Sequence, residues 1–249
     1  MKWKTHRAIT EKVLRRLGLD EEVIQACLEG VVEPDTKAGF SFTLNSRGRL
    51  RIVSKPHHSF WRSFDSLSYI YKARKYMLEG RYKVAAHRLG LALHYVQDRC
   101  IKEILFMDHE GLEAEAGRTS VPEEAISKGF RDSISNPSKV GRVVLWYIWP
   151  SWTPEVAVWN ATYYTAYIAK AVFDLDARNF EKARVEKDKL FRWVKRLTLV
   201  LPLPVGVTYI AHISSLNILL PLIILDVLLL MSIAFLLDRI MKIKRWFGI

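Results

Sequence analysis

Apolar residues recur at helical spacing through most of residues 1–195, and short polar breaks separate the segments. The first segment has Thr5 as a candidate N-cap and ends at Gly18, a residue typical of helix C-termini. Two longer segments of the same kind cover 59–79 and 82–105. Because this periodicity is typical of amphipathic helices, the pattern predicts an all-α domain.

One stretch departs from helical periodicity. Phe40, Phe42 and Leu44 alternate with polar residues, and a second apolar run, LRIV, follows the turn-like sequence NSRG. Alternation with a period of two residues is typical of a strand with one buried face. We therefore expect a small β-hairpin inserted in the helical domain.

The chain becomes strongly apolar over 197–237, where Asp226 is the only formal charge. The sequence HISSLN divides this stretch into 197–213 and 216–237, and the longer run is sufficient to cross a hydrocarbon core of about 30 Å. Basic residues flank both outer sides, which by the positive-inside rule places both termini in the cytoplasm. The sequence thus predicts a membrane anchor over 196–249, a transmembrane helical hairpin that leaves the preceding domain on the cytoplasmic side. Two buried helices of a soluble bundle are the alternative.

Charge and cysteine content narrow the class of protein. The formal net charge of +12 suggests an anionic partner, either nucleic acid or an anionic membrane surface. Two cysteines, Cys27 and Cys100, are too few for a disulfide framework and fit a reducing compartment. The charged N-terminal stretch has no apolar central run, so we expect no secretory signal.

Two histidine–carboxylate pairs stand out in the otherwise apolar stretch LGLALHYVQDRCIKEILFMDHEGLE. His94 and Asp98 are four residues apart, and His109 and Glu113 repeat that spacing. Side chains at i and i+4 share one face of a helix. Each pair therefore either presents two ligands to one metal ion or makes an intrahelical polar contact.

Further residues favour the metal interpretation. His57 and His58 are adjacent, and Asp35 ends the sequence EPD. Neutral imidazoles with carboxylate oxygens form a ligand set that suits Zn²⁺. His87 lies on the same helical face as His94, but we expect it to be a core or supporting residue rather than a ligand.

Five short segments occur in the order WKTHRAI, EGVVEPD, PHHSF, LGLALHYVQD and HEGLE. In that order they resemble the zinc-dependent phospholipase C and single-strand nuclease superfamily, the phospholipase C/P1 nuclease fold. The resemblance covers about residues 3–115. It implies an all-α domain with a zinc cluster that hydrolyses phosphodiester bonds.

The resemblance also implies roles for individual residues. Asp98 bridges two zinc ions, and Asp35 or Glu113 accepts the proton of the attacking water. His58 is preferred to His57 because the family's histidine is closely followed by aromatic residues, as in SFW here. The full set of implied metal ligands is His6, Asp35, His58, His94, Asp98, His109 and Glu113.

Two departures from the family pattern bear on the number of zinc ions. The family has a histidine six residues after the bridging aspartate, where this chain has Ile104. The family's tryptophan is the mature N-terminus and its amine is a ligand, whereas Trp3 here follows Met1 and Lys2. A site with two zinc ions is therefore an alternative to one with three.

These observations predict a membrane-anchored, zinc-dependent phosphodiesterase of the phospholipase C type, with a phospholipid as substrate. A single-strand nuclease is the rival enzyme, and it requires aromatic residues for base stacking, for which Trp61, Phe64 and Trp152 are candidates. A third hypothesis is a non-catalytic membrane scaffold whose metal site is structural.

Overall fold

The computed structural model describes residues 1–36, 40–44, 50–54, 62–101, 109–200 and 219–249. The chain divides into two compact units, Met1–Asp174 and Leu175–Ile249. The sequence placed its boundary at residues 195–196, which lie within a helix of the second unit. The candidate ligands all belong to the first unit.

The first unit consists of helices and one pair of short strands. Its helices are α1 (Trp3–Leu17), α2 (Glu21–Thr36), α3 (Arg62–Leu78), α4 (Tyr82–Asp98), α5 (His109–Ala116), α6 (Glu123–Asp132), α7 (Pro137–Arg142) and α8 (Pro154–Phe173). A π-helical turn, Val143–Tyr147, continues directly from α7. The predicted all-α class is confirmed for this unit by the helices that the structure describes.

The two strands pair where the alternating pattern predicted a β-hairpin. Strand β1 (Phe40–Leu44) is antiparallel to β2 (Leu50–Ser54), and Phe40 lies opposite Ser54. Residues 45–49, which connect the strands, lie outside the described part of the chain.

Helix α4 is the centre of the first unit, and its residues 89–98 are all buried. It crosses α2 with the two backbones in direct contact. A Cβ added to Gly90 would lie 2.2 Å from the Cys27 carbonyl oxygen, and one added to Gly30 would lie 2.2 Å from the His87 carbonyl oxygen. Only glycine fits at these two positions, and the close crossing brings the C-terminal half of α2 against the polar face of α4.

A buried arginine completes the C-terminal end of α8. Arg74 of α3 donates from Nη1 to the carbonyl oxygens of Val172 and Asp174, both at 2.6 Å. The last carbonyl groups of a helix have no partner within the helix, so a buried guanidinium satisfies them. Helix α8 is thereby held against α3 within the first unit.

The second unit contains α9 (Ala177–Val200) and α10 (Leu219–Phe247), which are linked by an ion pair of 2.6 Å between Glu186 and Arg239. Charged residues also occur along α10 itself, where Asp226 and Asp238 divide its apolar sequence.

Among the residues that the structure describes, no helix is long and apolar enough to cross a membrane. The predicted transmembrane hairpin over 197–213 and 216–237 is therefore wrong. The predicted localisation, an integral membrane protein with its catalytic domain on the cytoplasmic side, is wrong for the same reason. Residues 201–218, which include most of the first predicted span, lie outside the described part.

Candidate metal centre

Three buried side chains from two helices meet at one point. His6 comes from α1, and His94 and Asp98 come from successive turns of α4. His6 Nε2 lies 3.1 Å from Asp98 Oδ1, and His94 Nε2 lies 3.1 Å from Asp98 Oδ2. One ligand atom from each residue lies within 4.8 Å of the others. We refer to His6, His94 and Asp98 as the triad.

The orientation of His94 is set by a backbone carbonyl group. His94 Nδ1 lies 3.0 Å from the carbonyl oxygen of Val31 on α2. A carbonyl oxygen only accepts hydrogen bonds, so Nδ1 carries the proton and donates it. When the ring is neutral, the lone pair of Nε2 is therefore directed towards Asp98, which is the tautomer that a metal ligand requires.

A buried glutamine sets the orientation of His6 in the same way. Gln97 donates from Nε2 to the hydroxyl oxygens of Thr10 at 3.0 Å and Thr165 at 2.9 Å. Its Oε1 is 2.7 Å from His6 Nδ1 and accepts that hydrogen bond. Gln97 thus connects α1, α4 and α8, and it leaves the Nε2 lone pair of His6 facing Asp98.

Two imidazole lone pairs directed at one carboxylate form an unfavourable arrangement unless a proton or a cation lies among them, and one cation, the Met1 amine, lies 2.7 Å from Asp98 Oδ1. Neither His6 Nε2 nor His94 Nε2 makes a hydrogen bond with any described residue, and both atoms are buried. Ligand atoms at 2.0–2.2 Å from a tetrahedral zinc ion are roughly 3.3 Å apart, close to the spacing within the triad. The residues present therefore fit a divalent metal ion.

Electrostatics within the triad favour an ionised Asp98. Burial alone would raise the pKa of Asp98, but its interactions with His6 and with the Met1 amine hold it well below its usual range. The amine of Met1 donates to Asp98 Oδ1 at 2.7 Å. Burial lowers the pKa of His6, because its contact with Asp98 compensates only in part. A neutral imidazole beside an ionised carboxylate is the protonation state that binds a metal.

Of the other sequence-predicted ligands, Asp35 alone has a side chain in the described part of the chain. Asp35, near the C-terminal end of α2, has Oδ1 3.6 Å from His94 Nε2 and joins the edge of the centre. His109 and Glu113 belong to α5, but their side chains lie outside the described part, as does the whole of His58. The metal-binding role of all these residues stays a prediction.

His87 does not belong to the triad. Its Nε2 lies 2.9 Å from Oε2 of Glu33, which is two residues before Asp35 on α2. The expectation that His87 is not a ligand agrees with this contact, since Glu33 already occupies its ring nitrogen. His87 is therefore a suitable control position in experiments on the triad.

A cavity of about 530 Å³ opens beside the triad. Ala114 contributes to its wall, which places α5, the helix that carries His109 and Glu113, on the border of the same space. Residues from four helices and from the loop after α5 line it, among them Trp3, Thr5, Asp35, Asp98, Ala114 and Arg118. The volume is in the range of small-molecule binding sites.

Sequence reasoning missed two residues of this centre. Gln97 and Thr5 carry no charge and belong to no metal-binding spacing, so their types alone give no signal. One indication in the sequence that Gln97 has a role is the position of its amide next to Asp98 in a mostly apolar segment. Its partners Thr10 and Thr165 become apparent only when three helices are packed together.

We expect zinc to stabilise the protein more at pH 8 than at pH 6. Burial acts to lower the pKa of His94, but its contact with Asp98 outweighs this and raises the pKa above the ordinary 6.5. Zinc must displace that proton, so it binds more weakly as the pH falls through the raised pKa. Without metal, the stability of the protein changes with pH in the opposite direction. The raised pKa of His94 contributes stability that is present below pH 6.5 and is lost as the pH rises through that pKa. Thermal unfolding with and without zinc at both pH values measures both effects, and an equal zinc-induced shift would contradict this reasoning.

No protein-family model, no curated protein and no solved structure matches this chain.

Proposed function

We propose that this protein is a metal-dependent phosphodiester hydrolase, with zinc as the metal and a phospholipid as the substrate. The observation that supports it most is the pair of buried Nε2 lone pairs, from His6 and His94, that converge on Asp98. The resemblance of the ordered sequence segments to the phospholipase C/P1 nuclease superfamily supplies the reaction class. The adjoining cavity provides the space that a substrate requires.

The reaction divides into tasks for particular residues. Bound zinc would supply Lewis-acid polarisation of the phosphoryl group and lower the pKa of water. Asp35 accepts a proton from the attacking water, whose oxygen forms a bond to phosphorus, and returns that proton to the leaving alcohol as the bond between phosphorus and that alcohol breaks. His6, His94 and Asp98 would hold the zinc ion at a fixed position. The products are a phosphomonoester and an alcohol.

An exposed aromatic segment supports a lipid substrate. Trp146 is 63% exposed and Trp149 is 73% exposed, with Tyr147 and Trp152 close behind them. The segment is attached next to the triad, because the Ser151 amide donates to the Cys100 carbonyl oxygen at 2.9 Å, two residues after Asp98. Amphipathic aromatic rings of this kind favour the headgroup level of a phospholipid surface.

The same segment is less suited to nucleic acid. Binding of single strands combines stacked bases with cations that follow the phosphate backbone. Residues 143–156 contain no lysine or arginine, and Glu155 adds a negative charge. We therefore place the lipid substrate ahead of the nucleic-acid substrate.

Metal analysis combined with two activity assays tests this function. We expect purified protein to bind at least one equivalent of zinc and to release a phosphorylated headgroup from mixed-micelle phospholipid, with activity lost in chelator and restored by zinc. Cleavage of single-stranded DNA but not of phospholipid would replace the lipid substrate by nucleic acid. A zinc-loaded protein that cleaves neither would contradict the enzymatic proposal and favour a structural metal.

A further inference from the structure

The cavity beside the triad contains a buried hydroxyl group without a partner. Thr5 is only 5% exposed, lines the cavity and lies one residue before His6. Its Oγ1 makes no hydrogen bond to any group in the described part of the chain. Buried polar groups in folded proteins are nearly always hydrogen-bonded, so an unsatisfied one at a cavity wall indicates a ligand.

The charges around the cavity indicate what kind of ligand it is. Lys2, Lys4 and Arg118 line the cavity. None of the three forms an ion pair with a carboxylate among the residues that the structure describes. Lys4 Nζ is kept at the cavity edge by the Trp3 ring, 5.6 Å from its centroid. Cations at a cavity that lack a described carboxylate partner attract an anion.

Two carboxylates occur among the described residues that line the cavity, and they do not cancel these charges. Asp98 is engaged by His6, His94 and the Met1 amine, and Asp35 lies against His94. Both carboxylates therefore belong to the metal side of the cavity. The three cationic side chains remain for the substrate.

We propose that this cavity selects substrates with an anionic group next to the scissile phosphodiester, and that Lys4, Arg118 and the Thr5 hydroxyl bind that group. The cavity of about 530 Å³ has room for a phosphodiester together with an adjoining headgroup. An anionic headgroup is attracted by the lining cations, whereas a zwitterionic headgroup brings its own cation against them. The catalytic part of this inference rests on the proposed function; the binding of anions by the cavity does not.

Calorimetric titration of the zinc-loaded protein with inorganic phosphate tests the binding site without any turnover. We expect the double variant Lys4→Gln/Arg118→Gln to bind phosphate at least about tenfold more weakly, since each hydrogen bond to a charged group contributes that much. Thr5→Val should also weaken phosphate binding while leaving the unfolding midpoint unchanged or higher. Unaltered phosphate affinity in both variants would overturn the proposal.

A matched threonine provides the control for Thr5. Thr162 is also fully buried on a helix, but its hydroxyl donates to the Val158 carbonyl oxygen at 2.7 Å and it does not line the cavity. Thr162→Val should therefore leave phosphate affinity unchanged. An equal loss of affinity in Thr162→Val and Thr5→Val would show that the effect is structural and would overturn the role of Thr5.

Headgroup selection is measured with micellar phosphatidylinositol monophosphate and phosphatidylinositol that carry identical acyl chains, because only the former has an anionic group beside the scissile phosphodiester. We expect the wild-type ratio of kcat/KM to favour phosphatidylinositol monophosphate, and the Lys4→Gln/Arg118→Gln variant to move that ratio towards one. A preference for phosphatidylinositol, or a ratio that the variant does not change, would contradict selection by these cations. If neither lipid is cleaved, the proposed function fails, and the phosphate titration still decides whether the cavity binds anions.

Discussion

Asp98→Asn is expected to weaken zinc binding by at least about 100-fold and to reduce phosphodiester hydrolysis to background. The substitution keeps the size of the side chain but removes the negative charge that faces both His6 Nε2 and His94 Nε2 at 3.1 Å. The two imidazole lone pairs would then lack the anion that makes the position favourable for a cation. Zinc titration and hydrolysis measured on the same preparation check this result.

His87→Gln is the matched control for that experiment. His87 lies on the same helix but contacts Glu33 rather than the triad, so its substitution should leave zinc affinity and most hydrolysis intact. Unfolding has to be followed in parallel, because a ligand that binds only the folded state stabilises it, by about 2.7 kcal/mol at 100 times its Kd. A folded Asp98→Asn protein with wild-type zinc affinity would refute the role of Asp98.

Gly90→Ala is expected to lower the free energy of unfolding by at least about 2 kcal/mol, because overpacking at a backbone contact forces the helices apart. The new Cβ would lie 2.2 Å from the Cys27 carbonyl oxygen and 2.7 Å from the Val31 amide nitrogen. Val31 also accepts the hydrogen bond that orients His94, so zinc affinity should fall together with stability. Urea denaturation and zinc titration measure the two effects.

Gly141→Ala is the control for this substitution. Gly141 is also helical and buried, but a Cβ there would meet only the Leu67 methyl groups, at 3.9 Å. That distance is ordinary van der Waals contact, so we expect stability to be unchanged or slightly higher, as for other replacements of helical glycine by alanine. Equal destabilisation in Gly90→Ala and Gly141→Ala would contradict the close crossing of α2 and α4.

Local patterns in the sequence accounted for the helices of the first unit and for two of the three triad residues. Apolar periodicity is a property of neighbouring residues, so it predicted helices in the first unit, and the i,i+4 rule placed His94 beside Asp98. His6 is 88 residues away from His94 on another helix. No periodicity connects those two helices, and only the family resemblance proposed that His6 joins the site.

The sequence could not supply the features that depend on packing between elements. Gln97 acquires its role because Thr10 and Thr165, on two other helices, occupy its amide nitrogen. Thr5 matters because its hydroxyl is buried without a partner, which is a property of the folded chain. The apolar composition of 197–237 predicted membrane spans. Composition alone does not determine at which residues a helix begins and ends, or where charged residues lie along it.

Anomalous diffraction at the zinc absorption edge, from crystals grown with zinc, locates the metal ion relative to the triad. We predict a peak 2.0–2.2 Å from His6 Nε2, from His94 Nε2 and from an oxygen of Asp98, at the distances that zinc takes to nitrogen and oxygen ligands. Such a peak would show that the converging lone pairs hold a metal ion. Full zinc occupancy at another position, with His6 and His94 still bare at Nε2, would contradict it.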